Sequence, residues 1–220
     1  MLCMIIKTVL IWLLALYVFF VGIQFWMQNK NYNFSAKMVE EIALKHKDKE
    51  LAKAFDDIYK EFSTRFAGHI LPESDRKWLF MNAGGWMGGI QIMHASITEY
   101  LLFFGTGVNT SGNSGRYWAN ISDTILTGSF RQWKEGGFHS EVFGPGETVH
   151  HYWGEVSAVQ WDAGTWMVEY GRGFIPSTLF FALADTFTST LDVLTLYHTI
   201  LLYGKSLTLE AQTCMGEMFG

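Results

Sequence analysis

Cysteine is nearly absent: of 220 residues only Cys3 and Cys214 carry a thiol, at opposite ends of the chain. Two thiols so far apart make neither a disulfide framework nor a metal knuckle. Charge is also sparse, at 17% of residues, against about 25% in an ordinary soluble domain. The charges present, 16 Lys and Arg against 21 Asp and Glu, sum to −5 with no basic tail, which argues against nucleic acid as a partner. Familiar catalytic signatures are missing too. No GxSxG elbow occurs, and Gly204-Lys205-Ser206 lacks the upstream glycine of a phosphate loop.

Apolar residues are abundant, at 49%, with 16% aromatics and a mean hydropathy of +0.12. That balance excludes a disordered chain or a coiled coil and points to membrane association. The reason is local. Between Lys7 and Lys30 lie 22 uncharged residues, Thr8 to Asn29, and a helix needs about 20 apolar residues to cross the hydrocarbon core. Trp26 suits the interfacial aromatic belt, with Lys7 and Lys30 snorkelling at the edges. The bulky run from Val21 to Trp26 offers no small-x-small cleavage site, so the segment is expected to be a retained signal anchor. Lys30, Lys37 and Lys45 follow it, which leans towards a cytosolic body. Sequons at Asn33, Asn109 and Asn120 would report sidedness if modified.

After the span the pattern is that of a globular body. Ser35 is placed to cap a short helix carrying Val39, Ile42 and Ala43. Leu51, Phe55, Ile58, Tyr59 and Phe62 predict a second helix that Gly68 and Pro72 close. Gly84 and Gly88 have the spacing of a membrane helix contact, but tight turns are the simpler reading. From about Gly112 to Gly173 the period becomes two, punctuated by Gly136-Gly137, Gly144-Pro145-Gly146 and Asp162-Ala163-Gly164. Short strands with such turns predict an antiparallel barrel or sandwich.

The tail from Pro176 reads as two helices, with Ser177 and Ser189 as expected N-caps and Asp192 completing a capping box after Ser189. Neither apolar half reaches spanning length without an interruption. A hairpin in the membrane interface, or packed over the barrel mouth, fits better.

Two carboxylates stand out on the β framework. Asp123 shares a face with Tyr117, Ala119, Ile121 and Ile125, and an unpaired buried carboxylate is costly and tends to keep its proton. Glu169 shares a face with Thr165 and Met167, while Trp166, Val168 and Tyr170 point the other way, so periodicity leaves it undecided. The adjacent His150 and His151 point to opposite faces of a strand, which opposes a shared metal. No metal and no cofactor are expected.

Longer motifs then carry a resemblance. Asn82-Ala83-Gly84-Gly85-Trp86-Met87, His94-Ala95-Ser96 with Glu99-Tyr100, Ser114-Gly115-Arg116-Tyr117-Trp118-Ala119, and Ile121-Ser122-Asp123-Thr124 resemble the family of the sigma-1 receptor and the fungal sterol isomerase. So do Phe143 with Pro145-Gly146-Glu147-Thr148, and the run Thr165-Trp166-Met167-Val168-Glu169-Tyr170-Gly171-Arg172-Gly173 with Ile175 to Leu179 and Ala182 to Thr186. The chain departs from vertebrate receptors in lacking an arginine pair before Lys7, and in carrying Asn120 for glutamate and His150 for valine.

The resemblance implies an α+β fold. It comprises a flank at 1–7, one transmembrane helix at 8–29, a helical connector at 30–75, a cupin-like antiparallel β-barrel at 76–175, and two membrane-adjacent helices at 176–220. It implies a single-pass protein of the endoplasmic reticulum membrane and nuclear envelope, a homotrimer or higher oligomer, and client membrane proteins such as ion channels. Its ligands would be hydrophobic cationic amines, sterols or lipids. By matched position, Glu169 would pair with the ammonium and a protonated Asp123 would hydrogen-bond to Glu169. The lining would be Met81, Trp86, Tyr100, Leu102, Phe104, Tyr117, Ile121, Phe130, His151, Trp161, Thr178, Leu179, Ala182 and Tyr203, with Glu99 a buried structural acid. A non-enzymatic receptor is the preferred reading. The alternative is a delta-8 to delta-7 sterol isomerase using Asp123 and Glu169 as its acid/base pair.

Overall fold

The computed structural model describes residues 2–219, with side chains from 4 to 217; the expectation for the Cys3 thiol lies outside that range. The chain forms two units, Met1–Tyr32 and Asn33–Gly220.

The first unit is helix α1, Leu2–Asn29. It starts before residue 8 because nothing between Leu2 and Thr8 breaks a helix. Among the described residues it alone is long and apolar enough to cross a membrane, over Met4–Asn29, and its most apolar part is not buried in protein. At its end Asn29 Nδ2 donates to the Phe25 carbonyl (2.7 Å). The Lys30 ammonium lies over the Trp26 and Tyr32 rings, at 5.7 and 5.0 Å, a favourable cation–π arrangement.

The second unit opens with α2, Ala36–His46, and α3, Leu51–Arg65. As expected, Ser35 caps α2 by accepting from the Met38 amide (3.3 Å). Glu50 caps α3 through the Ala52 and Lys53 amides. Ten strands follow: β1 Leu79–Ala83, β2 Trp86–Ala95, β3 Glu99–Thr106, β4 Thr110–Asn113, β5 Ala119–Thr127, β6 Phe130–Lys134, β7 Glu141–Phe143, β8 Thr148–His151, β9 Ser157–Trp161 and β10 Thr165–Gly173. They pair antiparallel in a six-stranded sheet, β1-β2-β3-β10-β5-β8, and a four-stranded sheet, β4-β9-β6-β7. Gly84 and Gly85 form the β1–β2 turn with φ of +56° and +90°, so the turn reading holds over the helix-contact one.

The two sheets differ in what covers them. In the six-stranded sheet Leu101, Phe103, Val168 and Tyr170 face α2 and α3, packing with Phe34, Phe55, Ile58 and Phe62. Their alternates Tyr100, Phe104 and Met167 face the other core, which includes Phe130, Val159 and Trp161 of the four-stranded sheet. The four-stranded sheet leaves its outer face open, with Trp133 and Val142 exposed.

The tail is α4, Pro176–Thr188, and α5, Val193–Phe219. Here the expected caps are corrected. Ile175 precedes α4 with no side-chain cap, and the Ser177 hydroxyl instead donates back to the Phe174 carbonyl (2.6 Å). Ser189 ends α4 rather than starting α5. Asp192 is the acceptor at the start of α5, taking the Thr195 amide at 3.0 Å, because its carboxylate sits directly before the first turn. The second helix is tied to the β unit by Ser206 Oγ, which accepts from the Ala95 amide (2.7 Å).

Candidate ligand site

Residues of both sheets, α4 and α5 enclose a cavity of about 140 Å³, the liquid volume of roughly five water molecules. Its walls are built by period-two geometry. Along β3, Tyr100, Leu102 and Phe104 point inward; along β5, Ile121 and Asp123 do; β10 contributes Glu169. Glu169 is the direct cross-strand partner of Asp123 on one side and of Leu102 on the other. The structure therefore sets the two carboxyls side by side on adjacent strands.

Each carboxyl has one side-chain neighbour of its own. Tyr100 Oη donates to Glu169 Oε1 at 2.5 Å. This reach depends on Gly171, the cross-strand partner of Tyr100, because a Cβ there would collide with the Tyr100 ring. His151 Nε2 lies 3.2 Å from Asp123 Oδ2. Behind it, Gln132 Nε2 lies 3.1 Å from His151 Nδ1 and 3.4 Å from Ser157 Oγ. The second oxygen of Asp123, Oδ1, is buried without a hydrogen-bond partner, and so is the indole nitrogen of Trp161.

Among the described residues lining the cavity there is no Lys or Arg. Burial and then the charge of Asp123 push the Glu169 carboxyl up to about 8, with the Tyr100 hydrogen bond opposing. Burial, then the charges of Glu169 and Asp123, push the Tyr117 phenol up too. Two carboxyls in one apolar chamber thus hold one proton at neutral pH and leave one net negative charge. In the same lining, Trp86, Phe104 and Trp161 form a cluster with ring centroids 5.2–5.4 Å apart, Trp86 meeting the other two edge to face and Phe104 tilted on Trp161. Such faces suit a cation.

The cavity lining includes Glu169, Asp123, Met81, Trp86, Tyr100, Leu102, Phe104, Tyr117, Ile121, His151, Trp161, Thr178, Leu179, Ala182 and Tyr203. Phe130 lies outside that lining. It is fully buried one layer back, packed on Trp161 (5.1 Å) and His151 (6.1 Å). Ile90, Ile92, Ser114, Val159, Phe181 and Thr199 also line the space, and sequence reasoning missed them. Most are ordinary core residues whose exposure to a cavity leaves no mark in the sequence. Gln132, 3% exposed, was missed because it sits between Arg131 and Lys134 in the short run Phe130–Lys134, where three polar residues of five look like solvent-facing strand positions. Glu99 lies outside the cavity on the opposite sheet face, fully buried. It accepts from the Asn33 and Phe34 amides and the Tyr170 hydroxyl, at 2.8, 3.3 and 3.1 Å. Among the described residues no group of three or more His, Cys, Asp or Glu side chains is placed to hold a metal ion.

The carboxyl pair, its aromatic chamber and the apolar N-terminal helix go together with a sequence relationship. Residues 9–214 match the family described as ERG2 and Sigma1 receptor like protein, and the chain belongs to that family. It is 56% identical over 193 residues to sigma non-opioid intracellular receptor 1 of Xenopus tropicalis, covering 88% of this chain and 87% of that one. It is 44% identical over 153 residues to the C-8 sterol isomerase erg2 of Aspergillus fumigatus, covering 69% and 63%. Among solved structures, an RmlC-like cupin from Shewanella frigidimarina matches 48% of this chain and 90% of its own at 9% identity and a TM-score of 0.39. The chain is therefore a sigma-1-receptor-like protein of α+β architecture whose apolar N-terminal helix fits a membrane protein.

Proposed function

We propose that this protein is a non-enzymatic intracellular receptor that binds hydrophobic cationic amines, and sterol-like or lipid ligands, in the occluded cavity. The observation that carries the reading is the cross-strand carboxyl pair Asp123–Glu169 in a chamber with no lining Lys or Arg. A buried site with one uncompensated negative charge attracts an ammonium strongly, and the Trp86, Phe104 and Trp161 rings add cation–π attraction. Glu169 is the ion-pair partner, and Asp123 takes the shared proton when the ligand is bound.

In this reading the receptor resides in the endoplasmic reticulum membrane and nuclear envelope as a homotrimer or higher oligomer. There it modulates client membrane proteins such as ion channels in a chaperone-like way. The exposed apolar side chains of α4 and α5, Phe180, Phe187, Leu194, Tyr197 and Ile200, support an attachment of these helices to the membrane surface. Saturable binding of a radiolabelled hydrophobic amine to membranes with the wild type, lost in Glu169→Gln, is the expected result. Equal binding by both forms, or binding by neither, overturns the ion-pair assignment.

One observation favours a second reading. A carboxylic acid that keeps its proton at neutral pH beside a carboxylate is equipped to move a double bond: the acid adds a proton to one alkene carbon, and the base removes one from the carbon beside the other. The Aspergillus relative is named as a C-8 sterol isomerase. Growth of a sterol-isomerase-deficient yeast carrying this protein, with conversion of a delta-8 sterol, would establish that activity.

A further inference from the structure

The ligand-free carboxyl pair has one proton and two places to keep it. The groups facing it are Tyr100 from β3, Tyr117 from the β4–β5 connection, His151 from β8, and Tyr203 from α5. Tyr203 donates elsewhere, to the Ser96 carbonyl (3.1 Å), as Tyr117 does to the Ser114 carbonyl. The choice therefore falls to Tyr100 and His151. Tyr100 is a donor to Glu169 and by itself favours the charged form of that carboxyl, so only His151 can bias the pair the other way. His151 decides, because an imidazole that donates from one nitrogen must accept at the other unless it is cationic.

We propose that Gln132 is a positioning residue for the ligand site: its amide donates to His151 Nδ1, fixes the imidazole as the neutral Nε2–H tautomer, and aims that hydrogen at Asp123, so that the ligand-free pair carries its charge on Asp123 and its proton on Glu169. The geometry is a buried chain, Gln132 Nε2 to His151 Nδ1 at 3.1 Å and His151 Nε2 to Asp123 Oδ2 at 3.2 Å. Ser157 Oγ, 3.4 Å from the same amide nitrogen, holds the Gln132 end in place. The raised Glu169 carboxyl agrees with this distribution.

Ligand entry then reverses the pair without exchanging a proton with solvent. An ammonium meets Glu169, the Glu169 proton passes to the unpartnered Asp123 Oδ1, and the proton count stays at one. The occupied site reaches the arrangement implied by the family resemblance, a charged Glu169 and a protonated Asp123, from the opposite starting distribution.

The inference rests on the amine-receptor reading for its binding arm, but not for its spectroscopic one. In ligand-free protein carrying 15N-histidine, the wild-type His151 spectrum at pH 7 is expected to show a protonated Nε2 and a bare Nδ1. Gln132→Leu should give mixed tautomers, and Gln132→Glu, whose carboxylate accepts from Nδ1, should give a doubly protonated ring. The cationic ring should weaken amine binding by Gln132→Glu at least tenfold at pH 6, with recovery to the wild-type level as the pH rises to 9. A merely structural role for Gln132 would not move that pH profile. A wild-type His151 with its hydrogen on Nδ1, or both variants with the wild-type tautomer signature, overturns the proposal. Were the wild type to bind no amine, the receptor reading would fall, and the spectra would still decide this one.

Discussion

The two faces of the six-stranded sheet use the same pairing to opposite ends. On the helix-covered face the Tyr170 hydroxyl of β10 is shared between Glu99 of β3 (3.1 Å) and the Phe34 carbonyl (2.9 Å); on the cavity face Tyr100 of β3 donates to Glu169 of β10. Both tyrosine–glutamate contacts are diagonal across one antiparallel pair of strands. Glu99 receives two backbone amides besides its tyrosine, so its charge is solvated by protein donors and the contact locks the Asn33–Phe34 segment to the sheet. Glu169 has Tyr100 alone and a second carboxyl opposite it. A buried acid with its donors in place is structure; one short of donors is a site.

Four measurements sharpen or break this contrast, the largest effect first. Glu169→Gln should lower amine affinity at least 100-fold, or about 2.7 kcal/mol, while raising the stability of the ligand-free protein. The second effect follows from the sign of the shift. Glu169 titrates near 8 in the fold against an ordinary 4.5, so the folded state binds the extra proton between those values. Its contribution is fully present below about 4.5 and is lost as the pH climbs through about 8, by at most about 1.4 kcal/mol per pH unit. Wild-type denaturant midpoints should therefore fall from pH 5 to 8 relative to those of Glu169→Gln; parallel curves would show that Glu169 is not held protonated.

Glu99→Gln should do the reverse. It strands two backbone amides that a neutral carboxamide serves poorly, costing about 2–4 kcal/mol of stability, and amine affinity measured below the unfolding midpoint should hold within twofold. A loss of affinity without a loss of stability would erase the distinction between the two faces.

Tyr100→Phe removes the sole side-chain donor to Glu169 among the described residues. Since that bond favours the charged carboxyl, its loss should weaken amine binding about tenfold, on the order of 1.4 kcal/mol. Gly171→Ala should act in the same direction by displacing the Tyr100 ring. Unchanged binding in both variants would remove Tyr100 from the site.

The smallest expected effect is none. Asn33 donates to Glu210 (2.8 Å), Asn109 accepts from the Ala163 amide (2.7 Å) and Asn120 from the Trp153 amide (2.8 Å). With each side chain engaged in the fold, endoglycosidase treatment should leave electrophoretic mobility unchanged, whichever side of the membrane the body occupies.

The same contrast explains what could be read from the residue order. Asp123 was conspicuous because a carboxylate interrupts an apolar column at Ile121 and Ile125. Glu169 was not, because β10 is covered on both faces, by the cavity and by α2 and α3. Two apolar columns give no polar side against which an acid looks misplaced. The cap at Ser35 was legible from a local pattern, whereas Ser189 misled because Asp192, three residues on, supplies the cap itself.

Local chemistry alone determined the long apolar N-terminal helix, the two helices after it and the period-two body, since each depends on residues a few positions apart. Motif resemblance added the family and most of the chamber. What only the tertiary structure decided is which buried residues meet. The register pairs Asp123 with Glu169 across 46 positions of chain, Gly171 clears the way for Tyr100, Phe130 is held a layer behind Trp161, and Gln132 is brought to His151. Those meetings are set by strand register and by the closing of one sheet on the other, and neither is encoded within any single stretch of sequence.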